Sequence, residues 1–196
     1  MHILGLDPGK NSFAFAVINQ NAKVCDHGFV RTVTSLSVKD IRDETTRFLI
    51  DIDRLLDKHQ PELVVIERMQ HRPHLGGGSV VEMINVMIGL ALAKIFARGC
   101  GILMVPASTW KSHMKKTHGI KGKLFTMVGQ KMTIKIKPGP DNPKGYKTKG
   151  VWVEGILDPQ LKAGGIQIST HEGDACGLSA FGWYSITRIC IEDRML

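Results

Sequence analysis

Four side chains that can hold a cation stand at the ends of predicted elements. Asp7 closes an apolar run at residues 2–6, and Glu67 closes another at residues 63–66. His171 and Asp174 open the last predicted helix, where a spacing of three residues places them on one face. Three carboxylates and an imidazole offer ligands that Mg²⁺ or Mn²⁺ accepts. Beside a basic stretch, the matching chemistry is phosphodiester hydrolysis with two metal ions.

Two of these residues also have simpler interpretations. A buried carboxylate needs a cation, a proton or a hydrogen-bond partner. Asp7 by itself could satisfy its carboxylate by starting the turn that follows it. His171 could cap the last helix rather than bind an ion. The pattern leaves both alternatives open, while Glu172 is expected to point roughly opposite to Asp174, because two residues span about 200° of a helix.

Changes in apolar periodicity predict the elements that position these residues. The predicted elements are three strands within residues 2–32, a helix at 40–59, a strand at 63–67, a helix from 79 to about 96, a strand at 102–105, helices at 106–116 and 124–132, and a helix from 170 to about 190. This order predicts one α/β domain over residues 1–196, with a mixed sheet that is antiparallel first and parallel thereafter. The carboxyl ends of neighbouring parallel strands share one edge of a sheet, so Asp7 and Glu67 are expected to face each other.

The positive charge of the chain is concentrated in one stretch. Residues 111–149 contain 11 lysines and a single acid, Asp141, although the formal net charge of the whole chain is only +8. The rest of the chain is therefore slightly acidic. A concentrated basic stretch predicts a polyanion as partner. The alternative is a solvated lysine-rich loop without a partner.

Composition is typical of a globular protein without a membrane segment. Apolar residues make up 43% and charged residues 22% of the chain. Glu82, Asn85 and Lys94 interrupt the apolar stretch at residues 80–97, which predicts a buried helix. That helix is apolar nearly all round, so a partner subunit is expected to cover the side that the sheet leaves. The absence of a leader and four scattered cysteines predict a cytoplasmic protein with reduced, buried thiols.

Several segments carry a resemblance to a known family. ILGLDPG at residues 3–9, VVIE at 64–67 and HEGDACGL at 171–178 resemble an opening strand and turn, a second acidic strand and a closing helix. Segments 105–111 and 117–123 are similar to a basic segment between them. Together these motifs resemble the RuvC-like Holliday-junction resolvases of the RNase H-like superfamily, over about residues 1–132 and 170–186.

The resemblance implies an RNase H-like fold, with a mixed five-stranded sheet and helices on both faces. It also implies a homodimer that nicks opposed strands of a four-way DNA junction, with two Mg²⁺ or Mn²⁺ ions in each site. Carried over residue by residue, the catalytic metal ligands are Asp7, Glu67, His171 and Asp174, joined by Lys123 as a catalytic residue. The implied DNA contacts are Lys111, Lys115, Lys116, Lys121, Lys123, Arg68 and Arg72.

Two features depart from the pattern of this family. Family members usually follow the second acid with Gln and a bulky residue that wedges into the junction, whereas this chain reads ERMQHR at residues 67–72, so the wedge is Met69 or absent. An insertion at about residues 133–169, predicted as a basic β-hairpin with strands near 133–137 and 151–153, has no counterpart in compact bacterial enzymes. A small, lysine-rich chain of this kind resembles bacteriophage members, which act in the host cytoplasm.

Other functions fit the same residues. A broader branched-DNA or flap endonuclease on the same fold would use the same acids. A non-catalytic DNA-binding module would keep those acids for structural reasons only. Actin-like ATPases also open with Asp-x-Gly after a strand, but they need a second Asp-Gly phosphate loop and a longer chain than this one.

Overall fold

A computed structural model describes residues 1–33, 38–69, 78–117, 133–135, 146–148 and 170–192. The elements are β1 (His2–Pro8), β2 (Ser12–Asn19), β3 (Val24–Arg31), α1 (Val38–His59), β4 (Leu63–Arg68), α2 (Gly78–Ala97), β5 (Gly101–Pro106), α3 (Ala107–Thr117), β6 (Thr133–Lys135), β7 (Tyr146–Thr148) and α4 (Thr170–Glu192). Most lie within two residues of the predicted bounds. The helix predicted at 124–132 lies outside the described residues.

The first five strands form one mixed sheet in the order β3-β2-β1-β4-β5. The pairs β1–β2 and β2–β3 are antiparallel, and the pairs β1–β4 and β4–β5 are parallel. The antiparallel part comes from consecutive hairpins, whereas helical crossovers allow the parallel part. This confirms the predicted mixed five-stranded sheet and places β1, with its terminal carboxylate, at the centre.

Helices cover both faces of the sheet, as predicted. On one face α1 and α2 pack through Phe48, Ile52 and Ile88 against strand residues such as Leu4 and Leu6. On the other face α3 and α4 bury the intervening residues of the same strands; this core includes Ile3, Val65, Val105, Trp110, Met114, Ala175 and Leu178. Because successive strand residues point to opposite faces, a strand buried on both sides reads as a continuous apolar run.

Small residues let α4 lie directly on the sheet. A Cβ atom at Gly5 of β1 would lie 2.7 Å from the backbone nitrogen of Ser179 and still closer to the carbonyl oxygen of Ala175. At Gly182 of α4, a Cβ atom would lie 2.5 Å from Cγ2 of Val65. Helix α4 therefore packs closely on the sheet. This packing also places the first turn of α4 above the end of β1.

The outer side of α2 is apolar and exposed. On this side Val86 is 62% exposed and Phe96 is 79% exposed. The inner side of the helix packs against the sheet. Lys94 Nζ of α2 also donates to Asp53 Oδ2 of α1 at 2.7 Å. By length and composition alone, the segment Val80–Ala97 is apolar enough to span a membrane, and only 28% of it is buried. The sheet covers one side, as predicted. The described residues leave the other side uncovered.

The insertion contains a short antiparallel pair, with Thr133 opposite Thr148 and Lys135 opposite Tyr146. The hairpin is thus present, but its second strand, β7, precedes the predicted segment 151–153, which lies outside the described residues. The prediction that all cysteines are buried was wrong, since Cys25 is exposed. Cys25 occupies an outward position on β3, a strand at the edge of the sheet, where burial is incomplete.

Candidate active site

The central parallel strands bring Asp7 and Glu67 side by side. The register pairs Leu6 with Ile66, so the next residues on the two strands are these carboxylates. The turn after β1 is closed by the Gly9 N–H, which donates to the Ser12 carbonyl at 3.1 Å. Asp7 as a whole is 6% exposed, and its side chain turns toward α4. The predicted pairing of carboxylates at this edge of the sheet is therefore present.

The first turn of α4 adds His171 and Asp174 to the same edge. His171 Nδ1 donates to Asp7 Oδ2 at 2.7 Å, while the rest of this side chain is largely exposed. This contact favours a role for His171 at the acidic edge over helix capping. Glu172 points away, as expected, and accepts from His27 Nδ1 of β3 at 2.8 Å. We call Asp7, Glu67, Asp174 and His171 the acidic edge.

Helix α3 adds two side chains to the acidic edge. Lys111 Nζ donates to Asp174 Oδ2 at 2.7 Å, and Trp110 Nε1 donates to Glu67 Oε2 at 2.9 Å. The Lys111 ammonium also lies 4.8 Å from the centroid of the Trp110 ring. Trp110 is absent from the site residues predicted from the sequence. The missed signal is that a buried indole beside a lysine of the basic segment needs an acceptor for its N–H.

Burial and mutual repulsion disfavour the charged form of the acids. Burial raises the pKa of Asp7 to about 6, against the hydrogen bond from His171, and the charges of Asp174 and Glu67 raise it further. Burial likewise raises the pKa of Glu67, although the Trp110 hydrogen bond and the Lys111 charge lower it. Carboxylates held this close need a cation to remain ionised together.

The donor set fits a divalent metal ion, but the present contacts do not form a finished metal shell. Among the described residues, no three His, Cys, Asp or Glu side chains are grouped tightly enough to hold an ion. Each acid instead faces its own donor: Asp7 faces His171, Glu67 faces Trp110 and Asp174 faces Lys111. Mg²⁺ and Mn²⁺ bind oxygen ligands, and either ion would stabilise the charged form of carboxylates that raise one another's pKa. An ion at this edge would compete with Lys111 for Asp174.

A protein-family model for the crossover junction endodeoxyribonuclease RuvC matches residues 3–142, which is more than half of the chain. The chain belongs to the RuvC family. The matched span includes Asp7, Glu67 and Lys111 but ends before α4. The placement of His171 and Asp174 in the site therefore depends on the geometry described above.

Solved structures of RuvC and of a further Holliday junction resolvase share the fold. A structure of T. thermophilus RuvC in complex with a Holliday junction substrate gives a TM-score of 0.59 at 11% identity, over 95% of this chain and 96% of that one. Another Thermus thermophilus RuvC structure gives 0.55 at 13% identity, with coverage of 95% and 96%. The yeast mitochondrial Holliday junction resolvase Ydc2 gives 0.54 at 14% identity, with coverage of 92% and 76%. The likeness confirms the predicted architecture.

The residues predicted to contact DNA are placed only in part. Arg68 ends β4 next to Glu67, and Lys116 is exposed on α3. Lys115 belongs to α3, but its side chain is outside the described ones, as are Arg72, Lys121 and Lys123 altogether. Met69, one candidate for the RuvC-family wedge, packs against the core beneath α1 and α2. That contact favours a packing role for Met69.

Proposed function

We propose that this protein is a divalent-metal-dependent endonuclease that resolves four-way DNA junctions by paired phosphodiester hydrolysis. The observation that carries the proposal is the convergence of Asp7, Glu67 and Asp174 from three separate elements on one edge of the sheet. Membership of the RuvC family and the junction-resolving proteins among its structural neighbours support the same substrate class.

Asp7, Glu67 and Asp174 would hold two Mg²⁺ or Mn²⁺ ions, with His171 as a further ligand or as the donor that orients Asp7. Such ions, when bound, lower the pKa of an attacking water and neutralise charge at the leaving oxygen. Burial serves this role because electrostatic interactions are stronger where water is excluded. The raised pKa of Asp7 marks the cost of an ionised carboxylate here without a cation, which comes first from burial and further from the neighbouring acids.

Lys111 acts in two positions in this proposal. In the free protein its ammonium neutralises Asp174, and its side chain is 33% exposed at the mouth of the site. Released from Asp174, it can reach a DNA phosphate beside the acidic edge. Lys115, Lys116, Lys121, Lys123, Arg68 and Arg72 would hold the neighbouring phosphates, since the phosphate backbone supplies most of the affinity for basic proteins.

Paired cleavage requires two sites, and we propose that the outer side of α2 forms a homodimer. Val86 and Phe96 are exposed on this side, and such apolar residues are typical of the cores of homodimer interfaces. A two-fold axis would place two acidic edges symmetrically on opposed strands of a junction. In this arrangement the partner subunit, rather than a membrane, covers the exposed apolar side of α2.

The proposed function is tested with a labelled four-way junction beside a flap and a plain duplex, each incubated with the protein and Mg²⁺ or Mn²⁺. Symmetric paired nicks in the junction, absent without metal, are expected. Preferential flap cleavage would favour the broader branched-DNA nuclease instead. Tight junction binding without cleavage under any metal condition would favour a non-catalytic DNA-binding module.

The dimer is tested by charged substitutions on the outer side of α2. Val86→Glu and Phe96→Glu should weaken the dimer in sedimentation and convert paired nicks to single nicks. Ile50→Glu is the matched control, because Ile50 is also an exposed apolar helix residue, at 43%, but it lies on α1. A wild-type monomer that still makes paired nicks would contradict this arrangement.

A further inference from the structure

We propose that Trp110 is a positioning residue that orients Glu67 for metal binding. This inference rests on the proposed function and adds a residue that contacts neither metal nor DNA. The indole Nε1 donates to Glu67 Oε2 at 2.9 Å, so Glu67 Oε1 is the oxygen left for an ion. The juxtaposition of a fully buried indole with a metal-binding carboxylate carries the proposal.

Two features make Trp110 suited to this role. Its ring is 0% exposed and belongs to the core between α3, α4 and the sheet, so its position is fixed by packing on every side. A rigid, packed donor restricts the rotamers of the carboxylate it binds far better than water does. Groups that orient metal ligands in this way typically change metal affinity or activity by about 10- to 100-fold when removed.

The same ring also supports the cationic side of the site. The Lys111 ammonium lies 4.8 Å from the Trp110 centroid and 2.7 Å from Asp174 Oδ2. A cation over an indole face is attracted by the ring quadrupole. Trp110 thus holds Glu67 with its edge and Lys111 with its face. Trp110 therefore links the position of Glu67 on β4 to that of Lys111 on α3.

The decisive variant is Trp110→Phe, which keeps an aromatic ring beneath Lys111 and removes the N–H. The matched control is Trp183→Phe. Trp183 Nε1 donates to the Gln20 carbonyl at 3.2 Å, at a contact remote from the acidic edge. Both variants lose one indole hydrogen bond, but only the first loses a bond to a metal-binding carboxylate.

The primary measurement is Mn²⁺ affinity of the full chain without DNA, by calorimetry or electron paramagnetic resonance. Trp110→Phe should bind Mn²⁺ about 10-fold more weakly or worse, while Trp183→Phe binds it like wild type. In junction cleavage, Trp110→Phe should lower kcat and leave the KM for DNA unchanged. A folded Trp110→Phe with wild-type Mn²⁺ affinity and wild-type kcat would overturn the positioning role.

A second measurement does not depend on the folding of Trp110→Phe. The chain has three tryptophans, so elimination with Trp152→Phe and Trp183→Phe assigns the Trp110 indole N–H resonance. That resonance should move in Glu67→Ala and on addition of Mg²⁺ to wild type, whereas the Trp183 resonance stays. A Trp110 resonance insensitive to both changes overturns the proposal.

These readouts separate the two proposals. A wild-type protein that binds Mn²⁺ but cuts no junction contradicts the proposed function. Weaker Mn²⁺ binding by Trp110→Phe in that same protein would still support the positioning of Glu67. Conversely, if the wild type cuts junctions and Trp110→Phe has the Mn²⁺ affinity and kcat of the wild type, only the positioning role is refuted.

Discussion

Two regions of this molecule place their acidic side chains in opposite electrostatic environments. At the acidic edge, Asp7 and Glu67 lie at the ends of paired strands, each accepts a hydrogen bond from a different side chain, and burial raises the pKa of both. Around α1, several acids face bases instead. Asp26 accepts from Lys58 Nζ at 2.8 Å and from His59 Nε2 at 2.7 Å.

The bases beside Asp26 lower its pKa. Its partial burial would raise the pKa, but the hydrogen bonds and charges of Lys58 and His59 hold it below its usual value. Asp53 is matched in the same way by Lys94 and Arg98. We call these ion pairs the matched region. Matched acids stabilise the fold, whereas the acids of the acidic edge cost folding free energy that a bound cation would recover.

The largest expected effect is on catalysis at the acidic edge. Asp7→Asn should reduce junction cleavage by about a thousandfold or more, since metal stabilisation of the transition state is worth several kcal/mol. Junction binding should be retained or slightly improved, because a negative charge is lost. Cleavage and gel-shift assays on the same preparations measure the two effects.

Asp26→Asn is the control for that experiment, because it removes a carboxylate from the matched region without touching the acidic edge. Its cleavage rate should equal that of wild type at a temperature where both are folded. Full cleavage by Asp7→Asn in Mg²⁺ would end the metal-dependent mechanism. Equal loss in both variants would show that general instability, and not the acidic edge, governs the rate.

The next effect is on stability, where the same two substitutions should have opposite signs. At pH 8 without metal, Asp7→Asn should be more stable than wild type by up to about 3 kcal/mol, from a pKa rise of roughly two units. Asp26→Asn should be less stable by about 1 kcal/mol, since it loses hydrogen bonds to charged partners at a partly exposed site. Chemical denaturation with chelator present measures both.

The pH dependence of these differences follows from the direction of each shift. The folded pKa of Asp7 is raised from 3.8 to about 6, so its penalty is absent below pH 3.8, grows up to about pH 6 and is constant above. The folded pKa of Asp26 is lowered, so its contribution is present above the unfolded value of 3.8 and is lost as pH falls through the folded value. A destabilised Asp7→Asn at pH 8 would contradict this account.

A smaller effect is expected at His171, where a nitrogen donor joins the acids. If His171 is a ligand, an imidazole suits Mn²⁺ better than Mg²⁺, so Mn²⁺ should support the higher activity. His171→Asp should keep activity and shift the preference toward Mg²⁺ by about tenfold, an effect comparable to other changes around metal ligands. Initial cleavage rates across titrations of each ion measure the preference.

His27 provides the matched control, because it also donates from Nδ1 to a carboxylate, but to Glu172 away from the acidic edge. His27→Asn should leave the ion preference unchanged. If His171→Asp folds and binds DNA but is inactive with both ions, the ligand assignment is wrong, and His171 acts only through its hydrogen bond to Asp7.

Sequence alone predicted the parts of the site that local pattern determines. Apolar runs ending at Asp7 and Glu67 predicted two buried strands, and the parallel pairing of β1 with β4 placed those ends together. The close contact of the last helix with the sheet depends on small residues, as at Gly5 and Gly182. These features follow from side-chain size and periodicity, which are readable along the chain.

The contacts between elements could not be read in this way. The pairs Trp110–Glu67 and Lys111–Asp174 join residues 43 and 63 positions apart, and they depend on how α3 docks between the sheet and α4. The sequence offered no reason to choose these partners over others. In the insertion, the described second strand lies at residues 146–148, whereas the predicted segment 151–153 lies outside the described residues.

The smallest predicted effect concerns three lysines of the insertion, and it contrasts a stretch of excess positive charge with the matched region. Lys144, Lys147 and Lys149 belong to a stretch of 11 lysines with a single acid. Local acids cannot neutralise such a stretch, so phosphates are its natural partners. Replacing all three with Ala should weaken junction binding and reduce the salt slope of log K by about 0.9 for each lost phosphate contact.

The matched control replaces Lys23, Arg42 and Arg54 with Ala, which removes the same net charge from exposed positions elsewhere. Arg54 already pairs with Asp51 at 3.2 Å, so its charge is compensated locally. This triple variant should keep the wild-type salt slope if contact, and not total charge, determines binding. Equal slopes for the two triple variants would show that the insertion contributes only to the overall field. A lower slope for the insertion variant alone would place its lysines on the DNA.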